Sequence, residues 1–77
     1  MTYQHIEHNP AILNGKAIIK GTRISVQLIL EILASGGSID SIIKEYPHIK
    51  KEDVVEAINY AANQMQSNVA QQYSFEI

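Results

Sequence analysis

Apolar and polar positions change rhythm twice along this chain. Up to about Ile24 they suit extended structure, from Val26 they recur at three and four, and in the last five residues they alternate. In the first stretch, Asn9-Pro10 marks a turn, because Pro drives its predecessor out of the α region. Asn14-Gly15 separates Ala11-Ile12-Leu13 from Lys16-Ala17-Ile18-Ile19-Lys20 and suits a two-residue type I′ hairpin, with Gly21 ending the second strand.

Ser25 is the predicted N-cap of a helix from Val26 to about Ala34. Val26, Leu28, Ile29, Leu30, Ile32 and Leu33 leave that helix few polar positions, so it should be the central element, covered on several sides. Gly36-Gly37 stops it. Ser38 caps a second helix, with Asp40 in its first turn and one stripe of Ile39, Ile42, Ile43 and Tyr46; Pro47 ends it. A third helix is predicted from Lys50 or Lys51 to about Gln66. Its buried stripe is Val54, Ala57, Ile58, Ala61 and Met65, flanked by Val55 and Ala62, while Glu52, Asp53, Glu56, Asn59 and Asn63 face outward. Tyr73, Phe75 and Ile77 alternate with Ser74 and Glu76 as an edge strand would.

The expected fold is therefore α+β and mostly α, one domain of 77 residues. It has an N-terminal β-hairpin (1–24), a three-helix cluster in helix-turn-helix order (25–66) and a strand-like tail (67–77). A chain this short buries only about 60% of its unfolded surface. Without Cys it has neither disulfides nor a thiolate zinc site to compensate, so a homodimer is expected. No apolar run reaches the ~20 residues of a membrane span and the N-terminus does not read as a secretory signal, which makes the cytoplasm the expected location.

Charge adds a direction. The net charge is −2, which disfavours tight non-specific binding to nucleic acid. Residues 1–35 nevertheless carry Lys16, Lys20 and Arg23 against Glu7 and Glu31, whereas residues 36–77 carry three Lys against six carboxylates. Half the positive charge thus gathers around one strand-to-helix joint, Gly15 to Val26. Arg23 has two readings there: a phosphate contact, or a bridge to a carboxylate such as Glu31.

Catalysis finds no support in the pattern. Ser25, Ser35, Ser38 and Ser41 are accounted for as caps and helix ends, and none has a His–carboxylate pair beside it. Glu52, Asp53 and Glu56 fit the first turns of a helix through its macrodipole. His5, His8 and His48 do not supply three converging ligands. No enzyme activity, metal or cofactor is expected. In a helix-turn-helix reading the third helix enters the major groove, with Lys50 and Lys51 meeting phosphates and Asn59 and Asn63 as polar contacts further along. The carboxylates on the same outward face oppose that reading, and a three-helix core that binds no DNA is the plain alternative.

Three blocks of residues resemble a known family. Asn9-Pro10 with Ile12, Gly15-Lys16, Ile19-Lys20-Gly21-Thr22-Arg23-Ile24 and Val26 resemble the first block of the domain-of-unknown-function 433 family. Gly37-Ser38-Ile39 with Ile43 and Tyr46-Pro47 resemble the second; Ile49, Glu52-Asp53-Val54, Ala57-Ile58 and Tyr60-Ala61 resemble the third. The resemblance covers residues 6–62. It implies a homeodomain-like helix-turn-helix fold and an antitoxin of a bacterial type II toxin–antitoxin pair, which binds a PIN-like ribonuclease toxin and, as a dimer, represses its own operon. Asn14 and Ala17 stand where the family often has Gly and Pro, and Lys50 where it usually has Thr or Ser as an N-cap. The resemblance itself carries over no DNA contacts; the charge and helix patterns offer Lys20, Arg23, Lys50, Lys51 and Asn59 to DNA, and the alternating tail offers Tyr73, Phe75 and Ile77 to the toxin. The alternative is an adaptor domain that pairs with a partner protein and touches no nucleic acid.

Overall fold

Ser25 opens the central helix as its sequence position suggests. In the computed structural model, which describes the backbone of residues 3–73 and the side chains of residues 3–65, its hydroxyl accepts from the Leu28 N–H at 2.9 Å. The helix it caps, α1, runs Val26–Ala34. Before it, strands β1 (Ile6–His8) and β2 (Ala17–Ile19) pair antiparallel, with Ile6 opposite Ile19, Glu7 opposite Ile18 and His8 opposite Ala17. After it come α2 (Ile39–Glu45) and α3 (Lys51–Tyr73). The architecture is the expected hairpin followed by three helices. Among the described residues no helix is long and apolar enough to cross a membrane.

The hairpin differs from its prediction in one respect. Its first strand is Ile6–His8, not Ala11–Leu13, so the connection is a wide loop and not a two-residue turn. Asn9 is the cause. Its carbonyl accepts from the Ile12 N–H and its side chain from the Ala11 N–H, bending the chain before Ala11 can extend. Asn14 and Gly15 do take the positive φ that a type I′ turn requires, but Leu13 joins them at φ 51° and the three form a tight helical turn.

The second helix needs no revision. Ser38 and Ser41 exchange side-chain-to-backbone hydrogen bonds, a capping box built from two serines, and Ile42 is fully buried. Between α1 and α2 the chain reverses in a Schellman motif. Gly37 N–H donates to the Ile32 carbonyl at 2.9 Å and Gly36 N–H to that of Leu33 at 3.1 Å. Gly36 sits at φ +99° with open space where a Cβ would lie. At Gly37 a Cβ would come within 2.6 Å of Ile32 Cγ2 and 2.8 Å of the Ile32 carbonyl oxygen. Both alanine variants should be less stable: Gly36→Ala by about 1 kcal/mol of backbone strain, Gly37→Ala by about 1–3 kcal/mol because packed atoms must move. Urea unfolding of the two variants checks the order, and an equal loss would mean the Ile32 contact relaxes freely.

One core joins every element: Ile6 and Ile19 from the hairpin, Val26 and Ile29 from α1, Ile42 from α2, Ile49 from the turn, Val54 and Ala57 from α3. α1 is the central element and is covered on several sides by β2, α2 and α3, with Val26 and Ile29 buried and Leu28, Leu30, Ile32 and Leu33 half-buried. One expectation about the core is corrected. In α3, Met65 belongs to the surface at 63% exposure. Nothing between Lys51 and Tyr73 is Gly or Pro, and the helix continues past Gln66 to Tyr73, where the alternating pattern had suggested a strand. Phe75 and Ile77 lie outside the described residues.

Candidate nucleic-acid and partner surfaces

The turn between β2 and α1 is built from its own backbone. Thr22 organises it: its N–H and hydroxyl both donate to the Ile19 carbonyl, and its hydroxyl accepts from the Ile24 N–H at 3.0 Å. Ile19 N–H closes the turn on the Ile24 carbonyl at 2.8 Å. Glu7 supports it from β1, its carboxylate accepting from the Gly21 N–H at 3.0 Å. Lys20 is held through its main chain, which donates to the His5 carbonyl.

This scaffold carries the Lys20 and Arg23 side chains on the outside, both exposed. Of the two readings of Arg23, the bridge to Glu31 does not form; the carboxylate of Glu31 accepts instead from Gln27, at 3.1 Å. Lys16, the third cation of the cluster, donates to the Gln27 side-chain oxygen at 3.2 Å. The turn therefore presents two cations on a backbone whose conformation internal hydrogen bonds already hold.

A second surface lies where α3 begins. Lys51 and Asn59 line an open groove of about 800 Å³, faced across it by Tyr3, Gln4 and His5. Glu52 and Glu56 line the same groove, so its charge is mixed. Lys50 is the residue before α3, and its exposed side chain sits on the adjoining turn. Asn63 also lines the groove, where its amide donates to the Tyr3 hydroxyl at 2.7 Å. Lys20 and Arg23 are not among the residues lining that groove.

Asp53 faces inward where the pattern had placed it outside, and Glu56 is half-buried at the wall of the groove. Asp53 is buried, with one carboxylate oxygen 2.9 Å from His5 Nδ1 and the other accepting from the Lys50 N–H at 2.9 Å. It does half the work of a capping box at the third helical position, the end that lacks a Ser or Thr cap. Glu56 accepts from the His5 N–H at 2.6 Å. Together they clamp the start of the chain to the first turns of α3.

The neighbouring His8 completes the attachment. With Nδ1 protonated it donates to the Gly15 carbonyl at 2.9 Å, leaving Nε2 to accept from the Tyr60 hydroxyl at 3.1 Å, so one neutral tautomer satisfies both contacts. Tyr3 packs edge-on against Tyr60 with ring centroids 5.1 Å apart. His5 and His8 are thus structural fasteners. Among the described residues no group of three His, Asp or Glu could hold a metal ion.

Of the tail residues, Tyr73 ends α3, while Phe75 and Ile77 fall outside the described part of the chain. A family model described as protein of unknown function (DUF433) matches residues 6–61, from the first residue of β1 to Ala61 in α3. No curated protein matches the chain, and no solved structure does.

Proposed function

The chain belongs to the DUF433 family of proteins of unknown function, and on that premise we propose that it is a non-catalytic antitoxin of a bacterial type II pair. In this reading it neutralises a PIN-like ribonuclease toxin by direct binding. It also contacts operator DNA through Lys20 and Arg23, with α2 and α3 as a helix-turn-helix. The observation that supports the proposal is the order of elements within the family match: residues 6–61 take in the hairpin, the cationic turn before α1, α2 and the first turns of α3, an order that suits a helix-turn-helix. The toxin contact is assigned to the C-terminal end from Tyr73 to Ile77.

The test takes the product of the adjacent gene, expected on this reading to be a PIN-like nuclease, and assays it with the full chain. Stoichiometric loss of ribonuclease activity is expected, and undiminished activity in the presence of excess protein rules the antitoxin reading out. For DNA, binding to the fragment upstream of its own gene should weaken as salt rises. Arg23→Ala should reduce the magnitude of the log–log salt slope by about one without changing the melting temperature, since the exposed guanidinium has no internal bridge to lose. A slope near zero for the unmodified chain removes the DNA role. One observation favours the adaptor alternative in that event: Glu52 and Glu56 share the groove with Lys51 and Asn59, and carboxylates there repel phosphate.

A further inference from the structure

Asn14-Gly15 is the one Asn-Gly pair in the chain, and Asn14 is exposed. Such a pair has a chemistry of its own, because Gly15 has no side chain to shield its backbone nitrogen. Hydroxide takes the Gly15 N–H proton, and the nitrogen then bonds to the Asn14 Cγ. The side-chain amide leaves as ammonia, taking the Cγ–N electron pair and a proton from water. Water reopens the resulting succinimide ring at either carbonyl, giving Asp or isoaspartate at position 14.

The folded loop holds the reacting atoms apart. Gly15 N–H donates to the Ile12 carbonyl at 3.0 Å, so the proton that must leave is engaged. Asn14 stands at φ 57° and ψ 33°, in the left-handed region. That ψ puts the Gly15 nitrogen almost opposite the Asn14 Cβ about the Cα–C bond, whereas the five-membered ring needs the two nearly eclipsed. Leu13 shares the left-handed conformation at φ 51°, which a leucine keeps only where its surroundings impose it. His8 ties the turn down, joining the Gly15 carbonyl at 2.9 Å to the Tyr60 hydroxyl of α3 at 3.1 Å. The guard on Asn14 therefore lasts while the hairpin stays docked on α3.

We propose that Asn14 is a guarded deamidation site, intact while the loop is docked and converted to Asp and isoaspartate once it opens. The products accumulate as a chemical record of hairpin release. Either one adds a negative charge. Isoaspartate also routes the main chain through Cβ, which puts one extra atom into a three-residue left-handed turn, so an opened molecule does not regain the same loop. The chemistry involves this chain alone and is indifferent to the antitoxin reading.

Incubating the full chain at mildly alkaline pH, native and unfolded in guanidinium, tests this, with peptide mass spectrometry to resolve the two products. Native protein should deamidate at Asn14 at least about tenfold more slowly than the unfolded chain. His8→Ala should raise the native rate about fivefold and leave the rate in guanidinium unchanged, since it loosens only the docked loop. Equal rates in the native and unfolded chains overturn the proposal, and they do so whether or not the variant folds. A folded His8→Ala variant that deamidates at the unmodified rate also overturns it, because the guard would then not depend on docking.

Discussion

Truncating Ile29 to alanine should remove about 3–4 kcal/mol of stability, the largest loss expected from any single side chain here. Ile29 is fully buried on α1, the helix that meets β2, α2 and α3, so three neighbouring elements lose a packing surface at once. Large-to-small core substitutions of this kind cost about 2–5 kcal/mol through lost transfer energy and the cavity left behind. The upper part of that range applies where the surroundings cannot collapse. Here Ile42 of α2 and Val54 and Ala57 of α3, members of the same core, are already buried. In a domain of this size each kcal/mol is worth roughly 4–8 °C of melting temperature, so a fall of about 12–30 °C is expected. Calorimetry of the variant measures it directly. A drop of only a few degrees would mean that the hairpin and α3 close over the gap, and that α1 is not the hub.

Asp53→Ala should be the second most damaging change, at about 2–3 kcal/mol, for an unrelated reason. Two partners lose their acceptor together. The Lys50 N–H at the start of α3 is left without its cap, a loss of about 1 kcal/mol. His5 loses the carboxylate at 2.9 Å that ties the chain start to α3. A hydrogen bond to a carboxylate contributes about 1.5–3 kcal/mol when shielded from water, and the 39% exposure of the His5 side chain brings this one to the low end of that range or below it. A double-mutant cycle separates the two parts. His5→Ala should retain the helix cap and cost less than Asp53→Ala, and the pair together should cost less than the sum of the single changes. Additive losses would show that the His5–Asp53 contact contributes nothing to the fold.

These two residues also mark what could and could not be read along the chain. Ile29 was legible, as the α1 run from Val26 to Leu33 has the density of a core helix and Ser25 and Gly36 bound it. Serine caps, paired glycines and apolar spacing act over a few residues, and a linear pattern records such effects well. Asp53 was misplaced because its partner stands near the opposite end of the chain. Its one local signal was its place three residues after Lys50, where an acidic side chain reaches back to a bare N-terminus.

The hairpin failed on the same principle in reverse. Asn14-Gly15 has the backbone that a tight turn needs, yet Asn9 had already turned the chain and shifted the strand upstream to Ile6. At the candidate surfaces, the gathering of Lys20 and Arg23 was visible as composition, and their freedom from internal bridges was not. The pocket that Lys51 and Asn59 share with Tyr3 and His5 needed the fold, since its walls come from opposite ends of the chain.

The clamp from His5 to α3 has a bearing on the order of assembly. His5 and Glu56 are 51 residues apart, and joining the ends of a flexible loop that long costs about 3.5 kcal/mol of chain entropy, before any constant term. The three helices are local structures that close no such loop, and once formed they draw the two anchor points together. Hairpin docking is therefore the late event, rewarded only when α3 has its first turns. Because Glu7 and the main chain of His5 hold the turn that displays Lys20 and Arg23, that pair of cations takes its fixed arrangement last, as the mark of a finished molecule.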